Sequence, residues 1–200
     1  AMYRCAALKA IHTGIALDDE QRLVQMLKDT DIRLTPDSKV FLDGEDVTKE
    51  IRENNVSMVA SNISKLKQIR IDLVARQQEM AKAGGFIMDG RDIGTVVLKD
   101  AEVKIFMTAS AHARAVRRMN QNQEAGIASG NLDSIEAEIS QRDYQDTHRA
   151  NSPLKKADDA VEIDTSDLTV DQLADLMWAS QRFLTEWPVQ DLQSWKTFQV

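Results

Sequence analysis

Apolar residues recur at helical spacing through the opening MYRCAALKAI, and the pattern stops at Gly14, a residue suited to the left-handed position that ends a helix. Asp18 is the N-cap expected for a second helix. Gln21 stands three residues on, in the capping-box position, and Leu23, Val24 and Leu27 fall on the inner face. After Asp31 the helical period gives way. IRLT, KVFLD and EDVT read as three short strands, separated by turn signals at Pro36-Asp37-Ser38 and at Asp43-Gly44. Helical spacing returns from about Thr48 to Ser61 and from about Leu66 to Ala83, where Gly84-Gly85 ends it.

The second half reads differently. FIMD and VKIFMTA are short apolar runs without alternation, which suits strands covered on both faces of a parallel sheet. Charged helices are expected from about Ala111 to Ala125 and from about Leu132 to Thr147. VEID follows as a strand and Thr169 to Leu184 as an amphipathic helix. Strands alternating with helices after Gly85 predict a doubly wound α/β sheet, in which ligands bind at the carboxyl ends of the strands. There is no internal repeat and no low-complexity segment.

Composition narrows the function classes. The 200 residues are 42% apolar and 28% charged, and no apolar run approaches a membrane span. The single cysteine, Cys5, rules out an internal disulfide and fits a reducing compartment, the cytoplasm. A formal net charge of -7 argues against nonspecific binding to duplex nucleic acid, which needs a basic face. Local groups of arginine on an acidic chain suit a small phosphorylated ligand instead.

Three segments carry candidate chemistry. In DGRDIGTVV, Gly90 permits a close backbone approach to a ligand, Arg91 offers a rigid fork for phosphate, and Asp92 offers an acceptor for an amino group or a hydroxyl. A surface turn with a local Arg–Asp pair reads the same way. In RDYQDTHR, Arg142, Asp146 and Arg149 are spaced four and three apart and share one helix face. Two arginines around a carboxylate suit an anionic group bearing a hydroxyl, and they also suit a solvated ladder of ion pairs. ARAVRRMNQ, with Arg114, Arg117 and Arg118, reads alone as a solvated helix face. His12, His112 and His148 read as structural or surface residues.

Taken in order, AMYR, LDGEDVTKEIR, VASNIS…IR, DGRDIGTVV, AEVKIFMTAS, the RAVRR helix, QRDYQDTHR and SPLKKADDAVEIDTS resemble the bacterial cytidylate kinases from about Ala1 to Leu184. The resemblance implies an α/β, P-loop-kinase-like three-layer fold with a parallel central sheet and helices on both faces. It implies one kinase domain over 1–184, with a monophosphate-binding lobe at about 32–83 that contains a small inserted β element, and a lid region at about 111–147. Residues 185–200 are a C-terminal extension. By the same resemblance Ser61, Arg70 and Asp92 read the cytosine base, and Arg4 and Arg91 hold the CMP phosphate. Arg142, Asp146 and Arg149 contact sugar and phosphate, and Arg117 is a lid arginine over the transferring group. Phosphoryl transfer rests on positioning and charge neutralisation, so Arg91, Arg117 and Arg142 are the residues expected to act in catalysis. CMP or dCMP is the implied acceptor and ATP with Mg²⁺ the co-substrate, with no metal site built by the chain itself, no membrane partner and a monomeric enzyme.

One family feature has no counterpart. Nothing in the 200 residues matches GxxxxGK[ST], the loop that cradles ATP phosphates through backbone N–H groups and a lysine. In the family it follows a central first strand and precedes the segment that opens this chain. The expectation is a gap in the sheet with unpaired backbone groups, and little or no phosphoryl transfer. The strand-like Lys196–Val200 either fills that place or belongs to an extension packed through Trp187 and Trp195. A CMP-binding chain without transfer, and a remnant that binds nothing, are the rival readings.

Overall fold

The computed structural model describes residues 1–35, 37–82, 84–85, 87–124, 126 and 130–184, with side chains described as far as 179. Phe86 and the tail from 185, with Trp187, Trp195 and the strand expected at 196–200, lie outside the described residues. The chain divides into two compact units that part between Phe86 and Ile87.

The first unit opens with α1 (Met2–Thr13), which ends at Gly14 with φ 63°. The N–H of Ile15 reaches back to the Ala10 carbonyl at 3.1 Å, so the left-handed glycine closes the helix as its sequence indicates. Helix α2 (Glu20–Lys28) is capped by Asp19, whose carboxylate accepts from the Arg22 N–H at 3.0 Å. The cap is therefore one residue later than Asp18. A side-chain cap needs the N–H three residues ahead, and here that donor belongs to Arg22.

Strands β1 (Ile32–Leu34), β2 (Val40–Leu42) and β3 (Glu45–Asp46) form an antiparallel sheet in that order, with Ile32 opposite Leu42 and Leu42 opposite Glu45. Asp43 and Gly44 both have positive φ, 51° and 90°, as a two-residue hairpin turn between twisted strands requires. A 3₁₀ turn at Glu50–Arg52 leads to α3 (Asn54–Ile63) and α4 (Lys67–Ala81).

Leu8 of α1, Leu23 and Leu27 of α2, Val56 and Ile63 of α3, and Ile69 and Leu73 of α4 meet in one core and are fully buried. Side chains of this size contribute ~1.5–3 kcal/mol each on burial. Cys5 is sealed in the same core, and burial pushes its thiol up to about 11. Arg76 of α4 fastens the end of α2, donating to the Thr30 carbonyl at 2.8 Å and the Leu27 carbonyl at 2.5 Å.

The second unit holds a π turn at Ile93–Val97, then β4 (Ile105–Thr108), α5 (Ala111–Glu124), α6 (Leu132–His148), β5 (Val161–Asp164) and α7 (Val170–Leu184). Strands β4 and β5 are parallel, with Ile105 opposite Val161 and Thr108 opposite Asp164. Their carboxyl ends are tied: the Thr165 N–H donates to the Thr108 carbonyl at 2.7 Å, and the Ser110 N–H to the Ser166 hydroxyl at 2.9 Å. Asn131 caps α6 through the Ser134 N–H at 2.9 Å.

Two expectations fail in this unit. Ile87–Asp89 of FIMD is not a strand. Strand β4 is also not covered on both faces: Met107 is 41% exposed and its three neighbours in the strand are half-buried. A strand is defined by its ladder, and among the described residues β4 and β5 pair only with each other. An apolar run reports the tendency to be covered, not the presence of the covering partner.

Candidate functional site

The π turn after GRD places the first site residues. The Asp92 carbonyl accepts from the N–H groups of Val96 and Val97 at 2.9 and 3.3 Å, which fixes the backbone next to Arg91. Gly90 packs closely against Ile93. A Cβ at this position would stand 2.8 Å from Cγ1 and 2.9 Å from Cδ1 of Ile93, so any other residue would displace that side chain.

Helix α6 supplies the rest. Asp146 is its buried hub, only 3% exposed. Arg149 Nη1 lies 3.5 Å from Asp146 Oδ1, and Arg91 Nε and Arg142 Nε lie 3.4 and 3.8 Å from Asp146 Oδ2. Arg149 Nη2 stands 4.0 Å from Asp92 Oδ1, and Arg149 Nε donates to the Ser152 carbonyl at 2.7 Å. Helical spacing alone puts Arg142, Asp146 and Arg149 on one face. The fold then adds Arg91 and Asp92, some fifty residues away in sequence.

With Asp92, Asp146 and Arg149 buried, this cluster is not a solvated ladder. Burial, and after it the nearby Arg91 guanidinium, pulls the Arg142 pKa below its ordinary value. The positive charge is thus crowded and partly desolvated, which favours an anion in its midst.

Hydrogen bonds are incomplete where a ligand would enter. The buried Nε of Arg142 and the buried Oδ2 of Asp146 have no hydrogen-bond partner among the described residues. Arg91 likewise donates none there and makes only its loose ion pairs. Buried polar groups are nearly always satisfied, so donors beside an acceptor left open in one place fit a ligand carrying both an anion and a hydroxyl.

Arg117, expected to close over a phosphate, is held elsewhere in this unit. Its guanidinium donates to the Thr165 hydroxyl at 3.3 Å and to the carbonyls of Thr165, Ser166 (3.2 Å) and Leu168 (3.3 Å), at the carboxyl end of β5. Arg114 is no solvated residue either. It grips Asp143 with both terminal nitrogens, at 3.0 and 2.5 Å. Asp143 stands beside Arg142 in RDYQD, and that adjacency is the one signal in the sequence for its place in the cluster.

Three expected residues belong to the first unit. Arg4 on α1 donates to the Ile51 carbonyl at 2.8 Å. Arg70 on α4 is buried, donates to the Ser64 carbonyl at 3.1 Å and lies 5.5 Å from the centre of the Tyr3 ring. Ser61 on α3 is half-buried, and its carbonyl accepts from the Ser64 hydroxyl at 2.8 Å. Ser64 thus links Ser61 and Arg70, while Arg4 is tied to Ile51.

The Cytidylate kinase family description matches residues 1–182. The chain belongs to the cytidylate kinase family. It is 50% identical over 177 residues to a cytidylate kinase of Bacillus pumilus, covering 87% of this chain and 78% of that protein. To the cytidylate kinase of Pediococcus pentosaceus it is 48% identical over 173 residues, 85% of this chain and 76% of the other. To that of a Geobacillus species it is 47% identical over 178 residues, 88% and 79%. The cytidylate kinases are phosphotransferases, and the α/β architecture with its parallel strand pair is consistent with their P-loop-kinase-like fold. No helix among the described residues is long and apolar enough to cross a membrane.

Proposed function

We propose that this chain holds the acceptor side of a (d)CMP kinase, a cytoplasmic enzyme that moves the terminal phosphoryl group of ATP to CMP or dCMP. The observation that carries the reading is the set of open hydrogen-bond positions on Arg91, Arg142 and Asp146. Arg91 and Arg142 take the phosphate of the monophosphate, the guanidinium fork matching its oxygens. Asp146, held from its other side by Arg149, accepts from a sugar hydroxyl. Asp92 accepts from the exocyclic amine of cytosine. In uracil an oxygen replaces that amine, and the buried carboxylate would face it without a proton between them. The family resemblance adds Arg4, Ser61 and Arg70 as further contacts of CMP and Arg117 as a lid residue.

ATP is the co-substrate of the reaction and brings Mg²⁺ with it. The residues present do not supply the loop that cradles its phosphates, since GxxxxGK[ST] occurs nowhere in the 200 residues. Losing one preorganised donor in a phosphate or oxyanion site costs ~10²–10³ in rate, and here several are lacking together. The chain as it stands is therefore read as binding CMP without detectable transfer.

Calorimetry with CMP, dCMP, UMP and AMP tests the recognition, alongside a CMP-dependent ADP-release assay with a loop-bearing cytidylate kinase as control. CMP and dCMP are expected to bind tighter than UMP by ~1–3 kcal/mol, the cost of one unsatisfied buried group. Equal binding of UMP and CMP overturns the base assignment. Turnover near that of the control overturns the reading of the ATP side.

A further inference from the structure

We propose that Arg114 guards Arg91: by occupying both oxygens of Asp143, it keeps that carboxylate from capturing the guanidinium that receives the substrate phosphate. The inference rests on the acceptor reading above and assigns a positioning residue that touches no substrate.

Arg114 sits in the first turn of α5 with all three of its nitrogens engaged. Nη1 donates to Asp143 Oδ1 at 3.0 Å and Nη2 to Asp143 Oδ2 at 2.5 Å, while Nε faces the Ala109 and Ser110 carbonyls at 3.2 and 3.4 Å. This is the fork-on-carboxylate geometry that makes Arg–Asp pairs strong. Arg91 approaches the same carboxylate and stops short, with Nη1 3.9 Å from Asp143 Oδ1 and no hydrogen bond between them. Two arginines thus face one aspartate, and Arg114 holds it. Asp143 and Arg114 are each about two-thirds covered, so the contest takes place where water screens it only partly.

The consequence is a competition with a definite sign. Without Arg114, Asp143 loses its partner, and among the described residues Arg91 is the remaining cation within 4 Å of it. An Arg91–Asp143 fork would turn the donors of Arg91 away from the phosphate. A clip that merely fastened α5 to α6 would behave differently, because removing either half, or both halves, would do the same damage.

The test is calorimetry on the full chain with CMP and with cytidine, which has no phosphate. Arg114→Met is expected to lower CMP affinity about tenfold and leave cytidine affinity unchanged, because the loss falls on a phosphate contact. Adding Asp143→Asn to Arg114→Met is expected to restore CMP affinity to within about threefold of the parent, since the competing charge is gone. Arg114→Lys keeps the charge but reaches as a single point, so it is expected to give a partial loss and serves as the readout should Arg114→Met fail to fold. A double variant as weak as Arg114→Met overturns the guard, as does unchanged CMP affinity in both single variants. A parent chain that binds no CMP overturns the acceptor reading and this inference with it.

Discussion

The two halves of the molecule are held together by different forces. In the first unit, helices α1 to α4 and a small antiparallel sheet enclose a continuous apolar core. In the second, the buried apolar residues among those described are only Val97, Ala115, Ile135 and Ile163, while Asp92, Asp146 and the Arg149 side chain are buried with them. The first unit is stabilised by burial, a term that the screening of charges leaves untouched. The second is knitted by guanidinium–carboxylate contacts whose worth depends on partners, screening and desolvation. The difference teaches where binding and stability divide. A ligand has little to add to a filled core, but it can complete a polar cluster that the protein leaves incomplete.

The sharpest way to break the contrast is to damage the core. Leu73→Ala is expected to cost ~2–5 kcal/mol of stability, read as a lowered denaturant midpoint, because a fully buried leucine leaves a cavity. If the loss stayed below that of an exposed substitution such as Met58→Ala, the first unit would not be the burial-held half. Next comes the cluster: Arg91→Ala should lower CMP affinity by ~1.5–3 kcal/mol in calorimetry, with little change in the unfolding midpoint. Arg114→Ala, which acts on the phosphate only by releasing Asp143, should cost about tenfold, no more than Arg91→Ala does. Unchanged CMP affinity in Arg91→Ala would count against the placing of Arg91 at the phosphate. A milder probe is salt. Raising it from about 0.05 to about 0.5 M should weaken CMP binding several-fold and leave the Leu73→Ala effect unchanged. Equal salt sensitivity of both would erase the distinction. The smallest effect belongs to a helix end: Asp19→Ala should cost ~0.5–2 kcal/mol and Asp18→Ala close to nothing, since only Asp19 meets the Arg22 N–H.

Periodicity and turn chemistry made most of the fold legible. Gly14, the Asp43-Gly44 hairpin and the helical spacing of α3 to α7 depend on nearest neighbours, and sequence carries that information directly. FIMD has the composition of a strand, but a strand needs a partner, and partnership is not local. The site divides the same way. Arg142, Asp146 and Arg149 could be placed on one face by counting, but counting could not say that this face is buried, nor that Arg91 and Asp92 join it. Arg114 reads as a solvated residue because nothing near it in sequence announces Asp143, a full helix later.

Cys5 has a practical consequence of another kind. It is the only sulfhydryl in the chain, it has no measurable solvent exposure, and its proton is held well past neutrality. Maleimide dyes should therefore pass the folded molecule by, and it offers a dark background for site-directed fluorescence. Gln141 is exposed on α6, immediately before Arg142. A dye attached through Gln141→Cys would be a single reporter at the edge of the arginine cluster, and its emission could be followed during a nucleotide titration without first removing the native thiol.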